Sequence, residues 1–164
     1  MDIDWTLHLI VFISTLIATL IGIYLAFYLN GLNHKKLERI RARRLLVLLK
    51  DEIKENWDLL KELEKELKIK DFVPFYPLRF DVWNGVTSNL ILFLEKRNMI
   101  NNISQFYFEI KHIERKLNGI LNFTPLREEF ANSLRDHIPL VLKGERGKSP
   151  QTIISEIECL IKRL

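Results

Sequence analysis

The most apolar stretch of the chain runs from Trp5 to Leu29 and contains no Asp, Glu, Lys or Arg across its 25 residues. A hydrocarbon core about 30 Å thick needs roughly 20 apolar residues in a helix. We therefore expect residues 1–30 to form one transmembrane helix. A cleaved signal peptide fits less well, because the preceding residues are acidic and the apolar run is too long.

Small side chains recur every four positions within this predicted helix, and residues four apart share one helix face. Such a face lets a second helix backbone approach closely, which favours a helix–helix contact. The alternative is a chance register, since small residues are common in membrane helices. The row consists of Ser14, Ala18, Gly22 and Ala26.

We expect Asn30 and Gly31 to break or kink the helix at the membrane exit. A 3-4 spacing of apolar residues then predicts a second helix that reaches about Lys70, with a coiled-coil-like seam. The seam is Leu46, Leu49, Ile53, Asn56, Leu60, Leu63 and Leu67. Its one polar member, Asn56, either fixes register or oligomeric state, or it bonds a neighbouring helix or sits at a wet edge. Further apolar positions beside the seam favour packing in a bundle over an isolated dimer.

Asp71 to Arg79 contains two prolines and predicts a loop. A third helix is expected from about Phe80 to Lys96, with Trp83 on its apolar side. A turn near Asn101 then separates it from a fourth helix, about Asn102 to Asn122.

Two cap signatures predict the remaining helices. Thr124 and Pro125 suit the N-cap and first helical position of a fifth helix, which Pro139 should kink or end. Ser149 and Pro150 repeat the signature for the last helix. The predicted fold is therefore all-α, with one N-terminal transmembrane helix followed by a bundle of about five helices, the first long and coiled-coil-like. The predicted domains are 1–30, 31–44 and 45–164.

The chain's net charge of +4 is concentrated just after the apolar stretch. Residues 31–44 contain six basic residues against one acid, and these are Lys35, Lys36, Arg39, Arg41, Arg43 and Arg44. By the positive-inside rule this flank stays in the cytoplasm. We therefore expect the chain in a cell or inner membrane, with its N-terminus outside and its C-terminal domain in the cytoplasm. The patch either determines topology alone or also attracts anionic lipids. A nucleic-acid partner is not expected, because the basicity is confined to this flank.

The single cysteine, Cys159, excludes an internal disulfide and fits a reducing compartment. It lies in an apolar helical pattern, so we expect a buried side chain.

Three motifs resemble a loose group of uncharacterised prokaryotic proteins. They are a Leu-rich run ending in Glu52-Ile53-Lys-Glu-Asn56, a later Phe80-Asp-Val-Trp83, and a Tyr107-Phe-Glu-Ile110 helix. Members have one N-terminal span and then a Leu-Leu-x-Glu-Ile-x-x-Asn helix, although this chain has one residue more before Glu52. The resemblance covers about residues 5–122 and implies a membrane-anchored helical module without a known activity.

No motif for catalysis or for a cofactor is convincing. Glu109 and His112 form a Glu-x-x-His pair, the unit of di-iron bundles, but such a site needs a second unit that is missing. Gly-rich phosphate loops, nucleophile elbows and Cys-x-x-Cys pairs are also missing from the sequence. We expect no enzyme activity and no cofactor.

These features predict a non-enzymatic module that is integral to the membrane and that self-associates or binds a protein partner. One alternative is a homo-oligomeric pore or membrane-perturbing effector, such as a defence or toxin component, with Ser14, Thr15 and Thr19 as its polar groups. A second, less favoured alternative is a metal-dependent enzyme.

Overall fold

The computed structural model of the chain describes residues 5–69, 77–85, 97–122 and 127–164. Within these ranges the regular structure is helical, with no strand, which confirms the predicted all-α class. The helices are α1 (Trp5–Ile69), α2 (81–85), α3 (Arg97–Asn122), α4 (Arg127–Lys143) and α5 (Pro150–Arg163). The chain divides into two compact units, residues 1–41 and 42–164.

Helix α1 continues through Asn30 and Gly31, so the prediction of a break there is wrong. An interior glycine costs only about 1 kcal/mol relative to alanine. The flanking Leu29 and Leu32 are strong helix formers, and the glycine alone is too weak to end a helix of 65 residues. The predicted span and the predicted seam helix are therefore one element.

The core of the second unit begins at Ala42, the first buried residue among those described. Every position of the predicted seam is at most 2% exposed, so the seam packs within the chain's own bundle. Leu45 and Leu59 lie partly buried beside it, whereas Leu48 is 52% exposed. The apolar stripe is thus wider than the seam at Leu45 and Leu59.

Helix α3 begins at Arg97, five residues before the expected start at Asn102. Met99 and Ile103 are both buried and stand four residues apart, so they share the core-facing side. Their packing extends the helix towards its N-terminus through Asn101 and Asn102, where a turn was expected. Of the predicted third helix, 81–85 is helical, and its later positions lie outside the described residues.

Helix α4 passes through Pro139 and ends at Lys143, so the proline does not end it as predicted. A proline inside a helix removes one backbone hydrogen bond and costs about 3 kcal/mol. Ile138 and Val141 on either side of it are buried in the core, and their burial offsets that cost. The predicted Thr124-Pro125 cap lies outside the described residues.

Gly144 closes α4 with a Schellman motif. Its φ of 80° is left-handed, its N–H donates to the carbonyl of Val141, and the next N–H, of Glu145, donates to the carbonyl of Leu140. This pattern satisfies two carbonyls at the helix end, and glycine adopts the required conformation without strain. The turn from Gly144 to Gly147 therefore begins with a defined cap.

Helix α5 begins as its sequence predicts. Ser149 is the N-cap, its Oγ accepts from the Thr152 N–H at 3.3 Å, and Pro150 occupies the first helical position. The predicted burial of Cys159 is wrong, because its side chain is exposed. Cys159 follows the buried Ile157 by two residues, and two residues turn a helix by about 200°, which places the thiol opposite the core face.

Gly144→Ala should destabilise the bundle by about 2 kcal/mol or more. A Cβ at this position would lie 2.4 Å from the backbone N of Ser149, and the left-handed conformation adds about 1–2 kcal/mol for alanine. Denaturant unfolding of the full chain, followed by circular dichroism, measures the loss. The control is Gly85→Ala, where an added Cβ meets nothing within 4 Å and unfolding should shift by less than about 0.5 kcal/mol. Equal effects of the two variants would contradict the assigned cap.

Candidate functional site

The first unit presents large apolar side chains to its surroundings along the helix. Between Leu9 and Leu32 these side chains are 45% to 74% exposed, and Phe27 has the highest exposure. Monomeric soluble proteins rarely expose apolar patches larger than a few hundred Å². Among the described helices, α1 is the one long and apolar enough to cross a membrane. A lipid phase or a partner helix would remove this surface from water.

The predicted row of small residues lies on this exposed surface. Ser14, Ala18, Gly22 and Ala26 are all exposed, and a Cβ added to Gly22 would meet nothing within 4 Å. The hydroxyls nearby are bonded within the helix: Ser14 and Thr15 donate to the Val11 carbonyl and Thr19 donates to that of Thr15. Satisfied hydroxyls of this kind suit an apolar environment, because no donor is left to water.

The predicted basic patch is exposed along its whole length, at Lys35, Lys36, Arg39, Arg41, Arg43 and Arg44. The acid within this stretch, Glu38, pairs with His34 at 3.1 Å. The six charges therefore face solvent on the segment that follows the apolar surface. Their placement is the one that anionic headgroups would contact beside a span.

Asn56 in the seam bonds the neighbouring segment of the same chain. Its side-chain amide donates to the Arg79 carbonyl and accepts from the Arg79 N–H, both at 2.8 Å. Asn56 therefore bonds a neighbouring segment, as one of the open alternatives predicted, although that segment, residues 77–80, is not helical. The pair sets the register of residues 77–80 against α1 through the backbone N–H and carbonyl of position 79, which every residue except proline supplies.

Glu52, one turn before Asn56, caps α2 from another helix. Its carboxylate accepts from the N–H groups of Val82 and Trp83 at 2.7 and 3.1 Å. The helical N–H groups at these positions lack intrahelical acceptors, and Phe80 before them cannot supply a side-chain cap. Glu52 is 5% exposed, so its charge is stabilised by these donors rather than by water.

Tyr107 completes the Glu52 cluster from α3. Its hydroxyl donates to Glu52 Oε1 at 2.5 Å, and its ring stacks on Trp83 with centroids 4.9 Å apart. Burial and the neighbouring carboxylate raise the pKa of Tyr107 far above its usual value, so the phenol keeps its proton. One buried carboxylate thus connects α1, α2 and α3.

A second buried cluster joins α3 to α4. His137 Nε2 lies 2.6 Å from Glu109 Oε2, and the two side chains are 3% and 8% exposed. Glu109 also accepts from Gln105 at 3.0 Å, and Lys116 Nζ lies 3.2 Å from His137 Nδ1. The predicted companion of Glu109, His112, is exposed, although its ring centroid is 5.3 Å from that of His137.

The spacing of these acids contains a signal that points to their burial. Glu52 stands four residues before Asn56, and Glu109 stands three after Phe106 and four before Ile113, all buried positions. A carboxylate at such an offset shares the core face of its helix. Charge alone suggests a solvated side chain, so sequence reasoning missed both acids.

In comparisons with known proteins, no family model matches this chain, and no curated protein or solved structure matches it significantly. Within the described ranges, no group of three or more His, Cys, Asp or Glu side chains could hold a metal ion. The described carboxylates of the two clusters are directed at donors inside the bundle. Of the surfaces described, the exposed apolar helix with its basic flank is the candidate functional site.

Glu52→Gln should destabilise the bundle by about 2 kcal/mol or more. The amide turns one NH₂ group toward donors that need an acceptor, which leaves buried polar groups unsatisfied at about 1–3 kcal/mol each. Urea unfolding of the full chain measures the loss. The matched control is Glu55→Gln, because Glu55 pairs with Arg79 at 2.6 Å at the surface, and this change should shift unfolding much less than Glu52→Gln does. A small effect of Glu52→Gln would contradict the capping role.

Proposed function

We propose that this protein is a single-span membrane protein that acts by assembly, through self-association or binding to a protein partner, and has no enzyme activity. Its helical bundle would lie in the cytoplasm beneath a cell or inner membrane. The observation that carries the proposal is the exposed apolar surface between Leu9 and Leu32, followed by the six exposed basic residues.

Insertion in a bilayer accounts for the properties of this surface. The side chains from Leu9 to Leu32 are apolar on all sides of the helix, whereas a helix on the surface of a soluble domain is apolar on one stripe. The hydroxyls of Ser14, Thr15 and Thr19 donate to their own helix, which lowers the cost of placing them in hydrocarbon. The resemblance to single-span proteins over residues 5–122 agrees with this account.

The charge distribution supports the orientation. Cytoplasmic flanks of a span carry an excess of Lys and Arg, and residues 31–44 carry six such residues against one acid. The residues before the span contribute Asp2 and Asp4. The bundle then follows on the cytoplasmic side, where a free cysteine such as Cys159 remains reduced.

Assembly is supported by the row of small residues and by the use of the bundle's buried polar groups. Ala18 and Gly22 offer a smooth face to another span. In the bundle, Glu52 and Glu109 accept bonds that hold helices together. Side chains used in this way support a stable domain that presents a surface, and not a reaction centre.

Labelling of Cys159 tests the orientation, because this thiol is exposed and is the chain's one cysteine. A membrane-impermeant maleimide should label it in permeabilised cells and leave it unlabelled in intact cells. Cys159→Ser sets the background. Asp2→Cys in that background places a thiol before the apolar stretch and should react in intact cells. Labelling of Cys159 in intact cells would reverse the proposed topology.

Gly22→Leu combined with Ala18→Leu should weaken self-association of the chain several-fold. Each leucine fills the smooth face and keeps the other backbone away. A membrane two-hybrid assay, together with the mass of the detergent-solubilised protein, measures the change. Thr19→Leu is the control for a leucine placed off this face, since position 19 lies about 100° around the helix from Ala18.

Unchanged association of the Gly22 and Ala18 variant would remove the small-residue face from the proposal. Association lost equally in Thr19→Leu would show that bulk anywhere in the span is disruptive. Ion conductance by the purified oligomer in a planar bilayer would favour the pore over the assembly module.

A further inference from the structure

The second buried cluster places a histidine where its protonation state affects the contact between two helices. His137 on α4 contacts α3 through both ring nitrogens, at 2.6 Å from Glu109 and 3.2 Å from Lys116. Its side chain is 3% exposed, so water does not replace either partner. The hydrogen bonds that join these helices here therefore pass through the imidazole.

The two neighbours select one neutral tautomer of His137. The Lys116 ammonium has only donors, so Nδ1 facing it must be the unprotonated nitrogen that accepts. The proton is then on Nε2 and is donated to the Glu109 carboxylate. A second proton on Nδ1 would point at the Lys116 ammonium, and this hydrogen bond would become a contact between like charges.

The charges around His137 come from three elements. Helix α3 supplies Glu109 and Lys116, and the turn after α4 supplies Arg146, whose Nη1 is 3.9 Å from Glu109 Oε2. Of the remaining neighbours, His112 of α3 stands beside the ring, and Asp136 of α4 lies near Lys116. The carboxylate of Glu109 therefore lies near the guanidinium of Arg146 and accepts a hydrogen bond from Gln105, in addition to its contact with His137.

We propose that His137, Glu109 and Lys116 form a proton-sensitive latch between α3 and α4, closed while His137 is neutral and weakened when it gains a proton. Opening it removes the polar part of the contact that α4 and the turn carrying Arg146 make with α3. The turn belongs to the same contact, because Gly147 lies against Gln105, the residue that also donates to Glu109. The latch requires neither a membrane nor a partner, so it stands apart from the proposed function.

The electrostatics give the direction of the pH dependence. Burial, and after it the charges of Lys116 and Arg146, lower the pKa of His137 below its usual 6.5, although Glu109 opposes them. The unfolded chain therefore binds this proton at a higher pH than the folded chain. Stability from the latch is full above about pH 6.5 and is lost as the pH falls toward the lowered pKa.

His137→Gln tests the latch in the full chain in detergent. The glutamine amide can donate to Glu109 and accept from Lys116 as neutral histidine does, but it cannot gain a proton. Between about pH 7.5 and about pH 5.5, we expect the wild-type melting temperature to fall by roughly 3 °C more than that of the variant. Hydrogen exchange should locate this difference between wild type and variant in residues 127–147. There, the open fraction of the wild type should increase on the order of tenfold for each pH unit by which the pKa of His137 lies below its usual value.

Two further measurements keep the test independent of the stability of that variant. Nitrogen-15 NMR of the His137 ring should show the Nε2–H tautomer at neutral pH and a pKa below 6.5. Lys116→Met should raise that pKa and reduce the pH dependence, since the opposing cation is gone. His112→Gln is the control at the neighbouring exposed histidine and should keep the wild-type pH profile.

A pKa for His137 at or above 6.5 would overturn the latch, because protonation would then not weaken the contact. A pH profile shared by wild type and His137→Gln would do the same. If His112→Gln lost the pH dependence of the wild type, His112 and not His137 would be the group that titrates. None of these results bears on membrane insertion, which Cys159 labelling tests separately.

Discussion

The bundle depends on the desolvated carboxylate of Glu52. A carboxylate removed from water costs several kcal/mol unless hydrogen-bond donors replace its hydration. Here the donors are two backbone N–H groups of α2 and the hydroxyl of Tyr107 on α3, so three helices have to meet at one group. Asn56, one turn further along α1, adds two bonds to the backbone of Arg79 and sets the register of the segment before α2.

The two buried carboxylates differ in the donors that they accept from. Backbone amides do not titrate, and the raised pKa of Tyr107 keeps its proton in place, so none of the donors to Glu52 changes its protonation near neutral pH. Glu109 accepts instead from His137, whose proton count changes near neutrality. The proposed pH sensitivity therefore belongs to the contact of α3 with α4.

The first unit differs from the bundle, because none of its described side chains is buried. Its apolar side chains have no covering within the unit, and the hydroxyls among them bond to the same helix. The backbone groups of such a helix are hydrogen-bonded within the helix. Its side chains therefore determine whether lipid or another helix packs beside it. Large side chains favour lipid, whereas the small face at Ala18 and Gly22 favours a second helix, so one segment can serve both as anchor and as contact.

Local and periodic features were readable from the sequence alone. The apolar run, the 3-4 spacing of the seam and the Ser149-Pro150 cap each depend on neighbours within a few residues, so composition and order determine them. Seam burial followed as well, because spacing assigns Leu46, Ile53 and Leu60 to one face. These features were sufficient for the all-α class.

Tertiary structure decided what lies opposite each polar group. Whether Glu52 or Glu109 is solvated depends on donors contributed by residues more than twenty positions away, and no local pattern reports them. Gly31 was expected to break or kink its helix, and Pro139 to kink or end its own. The local penalty of about 1–3 kcal/mol is smaller than the stabilisation that the extended helix or the core packing provides. The sequence determines each helix's faces, and only the packed bundle determines which buried charges find partners, because that energy arises between distant segments.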